Sequence, residues 1–315
     1  VRKLIVKRTI PFLQFFVDTM LSRSAWLHMR IPFSYFLLPV FLFSLSVSPN
    51  ISEPSLLWTF LIIHLLLYPA SNGYNSYFDK DEKSIGGLKN PPPVNKDLYY
   101  LALLFDAAAI LLAIWKISWP FAAMLFVYGL VSKAYSHPAI RLKKHPYAGW
   151  LVIGFFQGAF TFIMCYMGVN NYDLVQSLKP SVLIPALLSS VMLLGNYPMT
   201  QVYQHEEDSK RGDVTLSYKL GVMGTFWFVL ITFTVATAGF IVYFILNFSV
   251  HYAVAFQLAL APVVVYFLYW FYQVWKDQRM ADFKHTMLLN FISATSLNAF
   301  FVYLFLHSSH ILDAL

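Results

Sequence analysis

Charge is what this sequence has least of. Only 12% of its 315 residues are Asp, Glu, Lys or Arg, against 58% hydrophobic, where a water-soluble globular chain carries about 25% charge. Too few polar side chains exist to cover a sphere, so an ordinary soluble enzyme, a disordered chain and a basic nucleic-acid-binding domain are all excluded. Cysteine is nearly absent. The single Cys165 lies in an apolar run and has no partner for an intrachain disulfide, which leaves it the reading of a small core residue. Abundant instead are aromatics, with 30 Phe, 20 Tyr and 8 Trp, in a chain of mean hydropathy +0.60. The composition is that of a polytopic membrane protein.

Apolar runs close to the roughly 20 residues needed to cross a bilayer recur along the whole length. Nine are expected, near residues 33 to 49, 56 to 77, 98 to 116, 119 to 136, 149 to 168, 181 to 203, 221 to 247, 252 to 275 and 286 to 307. The third and fourth meet at Trp119 and Pro120 as a tight helical hairpin. The basic leader VRKLIVKRTI is not expected to be a cleaved signal, because Gln14 and Asp18 interrupt the apolar stretch behind it. Residues 11 to 27 read as an interfacial helix. The domain division is thus a basic segment over 1 to 30, followed by one transmembrane domain over 31 to 315.

Orientation follows from the basic residues, which gather on the cytoplasmic side. With nine spans, twenty of the 22 Lys and Arg fall on the side of the N-terminus, and only Lys116 and Lys179 on the other. This places the N-terminus and every even-to-odd loop in the cytoplasm. The +7 formal charge is therefore a signature of topology rather than of a nucleic-acid partner.

Two of those loops hold most of the acids. Span two ends in YPASNGYNSYFDKDEKSIGGLKNPPP and span six in GNYPMTQVYQHEEDSKRGDVTLSYKLG. Helical spacing of three or four puts Tyr68, Asn72, Asn75 and Asp79 on one stripe, and Asn196, Thr200, Gln204 and Asp208 on another. Polar residues inside spans face a bundle interior or a watery cavity, so the stripes predict one polar cavity open to the cytoplasm. Both acidic ends are expected at helix C-termini, where the macrodipole disfavours anions by roughly 0.3–1 kcal/mol each. Carboxylates repeated there with amide oxygens a turn above suit a hard divalent cation such as magnesium, whose remaining waters give way to phosphate. Asp106, a lone acid in span three, reads either as a buried hydrogen-bonding residue or as an acceptor-site group. His137, His145 and His205 fit no zinc spacing.

The N-x-x-x-D pattern at the end of span two, with D-x-x-x-G-D-x-T-L at the end of span six, resembles the UbiA superfamily of intramembrane prenyltransferases. Arg30 and Pro32 before span one, and YSHPAIRLKKHP after span four, agree with it. The resemblance implies an all-α bundle of nine membrane helices that moves an isoprenyl group from a polyprenyl diphosphate to an aromatic or other lipophilic acceptor, with Mg2+ as cofactor. It further implies Asn75, Asp79 and Asp208 as metal ligands and catalytic residues, with Arg141 and Lys143 clamping phosphate. Lys210, Arg30, Asn72, Tyr135, Asn196, Thr200, Tyr203 and Gln204 would contact substrate. The expected setting is the bacterial inner membrane with the site facing the cytoplasm; partners are lipid and substrates, not nucleic acid.

The pattern departs from the family in three places. Lys83 stands where a further Asp is usual, with Asp81 and Glu82 as nearby substitutes, of which helical spacing from Asp79 favours Glu82; Gln204 replaces the first Asp of the second motif, with Glu207 as an alternative ligand; Tyr203 stands where arginine is common. Two other functions stay open on the sequence: a cation or small-solute transporter, and a catalytically degenerate relative.

Overall fold

A computed structural model describes residues 22–309. The N-terminal leader and most of the expected interfacial helix lie outside the described residues. Among those described, eight helical runs are long and apolar enough to cross a membrane. In chain order we label them with one shorter helix as α1 (Arg23–Ser46), α2 (Glu53–Asp79), α3 (Asp97–Lys116), α4 (Trp119–Ser136), α5 (Pro146–Asn170), α6 (Pro180–Gln201), α7 (Leu216–Asn247), α8 (Val250–Lys276) and α9 (Phe283–Ser308). The eight are all but α4, which carries Lys133 and two serines along its 18 residues. The α3–α4 hairpin turns at Ser118, whose hydroxyl caps α4 by accepting from the Phe121 amide.

Consecutive helices pack on one another, and α9 also packs against α1, so the bundle closes around a centre. One core lies among α1, α5 and α6 to α9, built on large fully buried rings such as Phe43, Phe226, Phe244 and Trp270. A second joins α1 to α5, and a third holds the start of α1 against α2 and α3. Outward faces carry Trp115, Trp119 and Leu246, each more than 70% exposed, as a lipid-facing surface requires.

The membrane helices are not regular, and the irregularities point at the centre. In α2 the turn Ile63–Leu67 widens to a π-helix just ahead of Pro69, whose missing amide breaks the regular ladder. In α5 the same happens at Phe156–Phe160. There Gly158 lets α6 approach, since a Cβ would stand 2.5 Å from the Ser190 backbone. Helix α6 tightens to 3-10 over Tyr197–Gln201. Asp106, the acid in the middle of α3, pairs with Lys133 of α4, which makes it one half of an intramembrane ion pair.

Candidate active site

Three cavities with shared lining residues lie toward the end of the bundle where α2 and α6 finish. The outermost, about 140 Å3, lies between the ends of α2 and α6 and is lined by Asn75, Asp79, Asp81, Lys143, Gln204, Asp208 and Arg211 among others. Below it, a chamber of about 180 Å3 is walled by Phe33, Phe36, Phe43, Phe240 and Phe301. Beside that, a third of about 150 Å3 runs between α2, α4 and α5. Tyr197 lines all three, and its hydroxyl is hydrogen-bonded to that of Tyr135.

Local structure explains how the acids converge. Helix α2 ends at Asp79, and Lys80 caps it in the left-handed conformation with φ 49°. That reversal breaks the helical spacing assumed for Glu82. Asp81 is folded into the cavity instead, and Glu82 is exposed on the loop. The stripe on α6 is broken as well. Its continuous helix ends at Asn196, a 3-10 turn follows, and a separate short helix spans His205–Arg211. Asp208 therefore stands in the first turn of its own helix, where the macrodipole is positive; the expected unfavourable C-terminal position holds only for Asp79.

Thr200, Gln204 and Asp208 nevertheless reach the outer cavity, with Asn196 one level deeper in the apolar chamber. Tyr203 and Arg30 line the outer cavity too, and Asn72 lies between the two inner ones. Tyr74 and Tyr77, on the same helix end as Asp79, pack on Tyr99 of α3 and are not in the lining of the three cavities.

Ionic pairing in the site is dense. Lys143 pairs with the Asp79 carboxylate, and Arg141 Nη2 lies 3.6 Å from it. Arg141 also grips Asp213 through two bonds of 2.7 and 2.8 Å. Arg211 pairs with Asp81, and reaches Asp208 at 3.3 Å and Asp213 at 3.5 Å. Thr215 donates to Asp208 at 3.3 Å. Arg211, Asp81 and Asp213 are thus central to this pairing, where the spacing argument had favoured Glu82 over Asp81. The signal available for Asp213 was the Gly212 before it, whose φ of 71° ends the short helix and turns the aspartate inward.

Lys210 and Glu207 are not in the cavity lining; Lys210 is exposed and pairs with Glu206 and Glu207. Lys83, at the variant family position, pairs with Glu206 and ties the two acidic loops together at the rim. Alanine at Glu82 or Lys210 is expected to change turnover less than about twofold, whereas Arg211→Ala is expected to raise the KM for a diphosphate substrate by at least about tenfold. Steady-state kinetics on the three variants checks this.

The electrostatics follow from burial and pairing. Burial pushes the Asp208 carboxyl up to about 6, although Lys143 and Arg211 pull the other way. Asp81 is also raised, by burial and by the neighbouring Asp79 charge. Burial would raise Asp213 likewise, but its bonds from Arg141 with the nearby Lys143 and Arg211 outweigh that and hold it below its ordinary value. The sign for Asp208 is that of a destabilising charge: a carboxyl raised from 3.8 to about 6 loses folding stability as pH climbs through that window. Asp208→Asn is accordingly expected to stabilise the metal-free protein at pH 7 by on the order of 2 kcal/mol and to have little effect at pH 4. Thermal unfolding in detergent at both pH values tests this.

Oxygen donors are available without gathering into a closed metal cage. Among the described residues no three carboxylate, imidazole or thiolate groups are close enough to ligate one ion by themselves. The outer cavity is lined by three acids, Asp79, Asp81 and Asp208, and three bases, Arg30, Lys143 and Arg211. Its lining is therefore formally neutral. Asp79 Oδ1 is buried and makes no hydrogen bond; its ion-pair partners are Lys143 and Arg141. Arg30, held in the left-handed region at φ 48°, is half-buried, has no ion-pair partner among the described residues and spends its two terminal nitrogens on the carbonyls of Gly86 and Asn72 at 3.1 Å.

A polar head site above an apolar chamber, built from the ends of two acid-bearing helices, matches one family. The UbiA prenyltransferase family model covers residues 36–292. This chain belongs to the UbiA prenyltransferase family. Among solved structures, a UbiA homologue from Archaeoglobus fulgidus bound to DMAPP and Mg2+ superposes with a TM-score of 0.63 at 14% identity, over 90% of this chain and 99% of that one. The same homologue bound to GPP and Mg2+ gives 0.61, also at 14% identity, over 90% and 99%. A structure described as giving insight into digeranylgeranylglyceryl phosphate synthase in membranes gives 0.58 at 18% identity, over 91% and 99%. At such identities the likeness establishes the UbiA fold alone. No curated protein matches the sequence.

Proposed function

We propose that this UbiA-family protein is a magnesium-dependent prenyltransferase that moves an isoprenyl group from an allylic diphosphate to a lipophilic acceptor inside the membrane. The observation that carries it is the meeting of both acidic helix ends in one cavity that opens directly onto a phenylalanine-walled chamber. A diphosphate head fits the first and a hydrocarbon tail the second. Fourteen per cent identical homologues bound to GPP or DMAPP with Mg2+ support the same division.

The donor set fits magnesium. Asn75, Asp79, Gln204 and Asp208 supply oxygens of the hard type this ion takes, and phosphate oxygens and waters fill the rest of its shell. The neutral lining argues for it too, because a multiply charged anion buried among balanced ion pairs needs a further cation. When bound, the metal would neutralise charge growing on the leaving diphosphate. Asn75 is oriented for this by Ser136, which accepts from its Nδ2 at 2.9 Å and leaves Oδ1 for a ligand.

The chain's own groups do the rest. Arg211 and Lys143 hold phosphate oxygens, and Arg30 is the cation already in place without a counter-ion. Phe33, Tyr135 and Tyr197 line the passage from head to tail, where positive charge develops on the allylic carbon and aromatic faces stabilise it without attacking. Arg141 acts through Asp213 and Asp79, fixing the basic loop against both acidic motifs. The excess of basic residues on one side supports a site facing the cytoplasm.

Purified protein with magnesium is expected to release pyrophosphate from geranyl diphosphate in the presence of host lipid extract, and Asp208→Ala to lower that rate by at least about 100-fold. Wild-type turnover in the alanine variant, or solute flux in liposomes without diphosphate consumption, would overturn the assignment.

A further inference from the structure

The phenylalanine-walled chamber has a floor. At its far end Phe43 of α1, Phe240 of α7 and Phe301 of α9 converge, with Phe43 stacked on Phe301 at 4.6 Å between ring centres and 5.4 Å from Phe240. All three rings are almost fully buried. Behind them Phe162, Tyr243 and Phe244 pack on Phe43 in turn, so swinging the floor aside would displace a second close-packed layer. Beyond that layer Tyr243 lines a separate cavity at the opposite end of the bundle.

The near end of the chamber is the head site. Phe33 lines both it and the outer cavity, and on α9 Met287 lines the outer cavity while Asn290, about a turn further on, lines the chamber. From Phe33 to Phe43 the chain crosses the 3-10 segment Ile31–Leu37 and then regular helix, which at a rise of about 2.0 and 1.5 Å per residue covers about 17 Å. Asn290 to Phe301 in α9 covers about 16 Å. Two helices thus set one depth. An isoprene unit adds four carbon–carbon bonds to a chain, which when extended reach about 5 Å. Three units fill the depth, and a fourth meets the floor.

The sides offer a longer chain little relief. Along the seam between α1 and α9 the Tyr35 hydroxyl is hydrogen-bonded to that of Thr295 at 2.8 Å and its ring stacks on Phe291, next to Phe36 and Ala294 of the lining. The apolar pocket between α7, α8 and α9 meets the chamber at Asn196 and Ser293, and an amide with a hydroxyl makes a poor passage for hydrocarbon.

We propose that Phe43, Phe240 and Phe301 are the ruler that limits the prenyl chain of the donor, and that the preferred donor is a diphosphate of two or three isoprene units, C10 or C15. The identity of the ligand rests on the prenyltransferase reading; the depth of the chamber does not. A C20 chain must fold back or press the floor into the layer behind it, and overpacking of that kind costs about tenfold or more in affinity.

The test measures binding of geranyl, farnesyl and geranylgeranyl thiolodiphosphates, the C10, C15 and C20 forms, to the full chain in nanodiscs with Mg2+, each corrected for partition into empty nanodiscs. Wild type is expected to bind the C20 form at least about tenfold more weakly than the C15 form. Phe43→Leu is expected to lower the ratio of the C20 to the C15 dissociation constant at least about fivefold, because the smaller side chain opens the floor. Phe301→Leu repeats the measurement should Phe43→Leu unfold. Equal or tighter binding of the C20 form by wild type overturns the proposal, as does an unchanged ratio in a folded variant. Binding of none of the three by wild type that unfolds cooperatively on heating overturns the donor reading, and the ruler with it.

Discussion

Pyrophosphate release from geranyl diphosphate is expected to fall by about 10²- to 10³-fold in Asp79→Asn, with little change in thermal stability. The substitution keeps the shape of the side chain and removes one charge from a buried oxygen that has no hydrogen bond and is ion-paired with Lys143 and Arg141. Lys143 is not stranded by the change, because Asp213 Oδ2 lies 3.6 Å from it. The loss should therefore appear in turnover rather than in folding, and should not be rescued by raising the diphosphate concentration. Single-turnover kinetics beside thermal unfolding separates the two. Near-normal turnover in Asp79→Asn would mean that the outer cavity is not where the diphosphate reacts.

Asp213→Ala should behave in the opposite way, as a structural lesion first. Its carboxylate is almost fully buried and meets three cations, Arg141 through two short bonds, and Lys143 and Arg211 at 3.6 and 3.5 Å. Removing it leaves buried positive charge uncompensated, which costs about 3–5 kcal/mol. Because the Asp213 carboxyl is held below its ordinary 3.8, its contribution is present above that pH and lost as pH falls through the lower folded value. The stability gap between wild type and Asp213→Ala is thus expected to stay constant from pH 5 to 8 and to close only under strongly acid conditions. Thermal unfolding across that range decides the matter; a gap that closes already near pH 6 would assign the effect to another group.

Asp79 and Asp208 were not equally legible. Asp79 is found by helical spacing from Asn75, since both lie on the regular end of α2. The Asp208 carboxylate also reaches the cavity, but not along a continuous stripe: the run from Asn196 is interrupted by a 3-10 turn and a new helix, and only the three-dimensional path returns it there. Glu82 was favoured by extending helical spacing past the point where α2 ends, and Lys210 was named only as a basic residue of the second acidic loop. Lys80 in the left-handed region moves Asp81 into the site in place of Glu82. On the second motif Arg211 occupies the position expected of Lys210. Departures from helix of one or two residues are small in energy, so local spacing rules do not foresee them, yet each rotates a side chain from one face to another.

The membrane character of the chain, its helical runs, the positions of its acidic loops and its family resemblance all came from the sequence by itself. Burial of apolar side chains in lipid and the satisfaction of backbone groups within helices are local demands, and they leave a periodic record in one dimension. What only the tertiary structure decided was which charges neutralise which, and which polar groups face an open chamber. Asp106 finds Lys133 one helix away, Arg141 finds Asp213 across 72 residues, and Gln157 is turned inward by a π-turn. Pairings of that kind depend on distances of a few ångströms between distant segments, and electrostatic energy in a low-dielectric interior changes steeply over such distances.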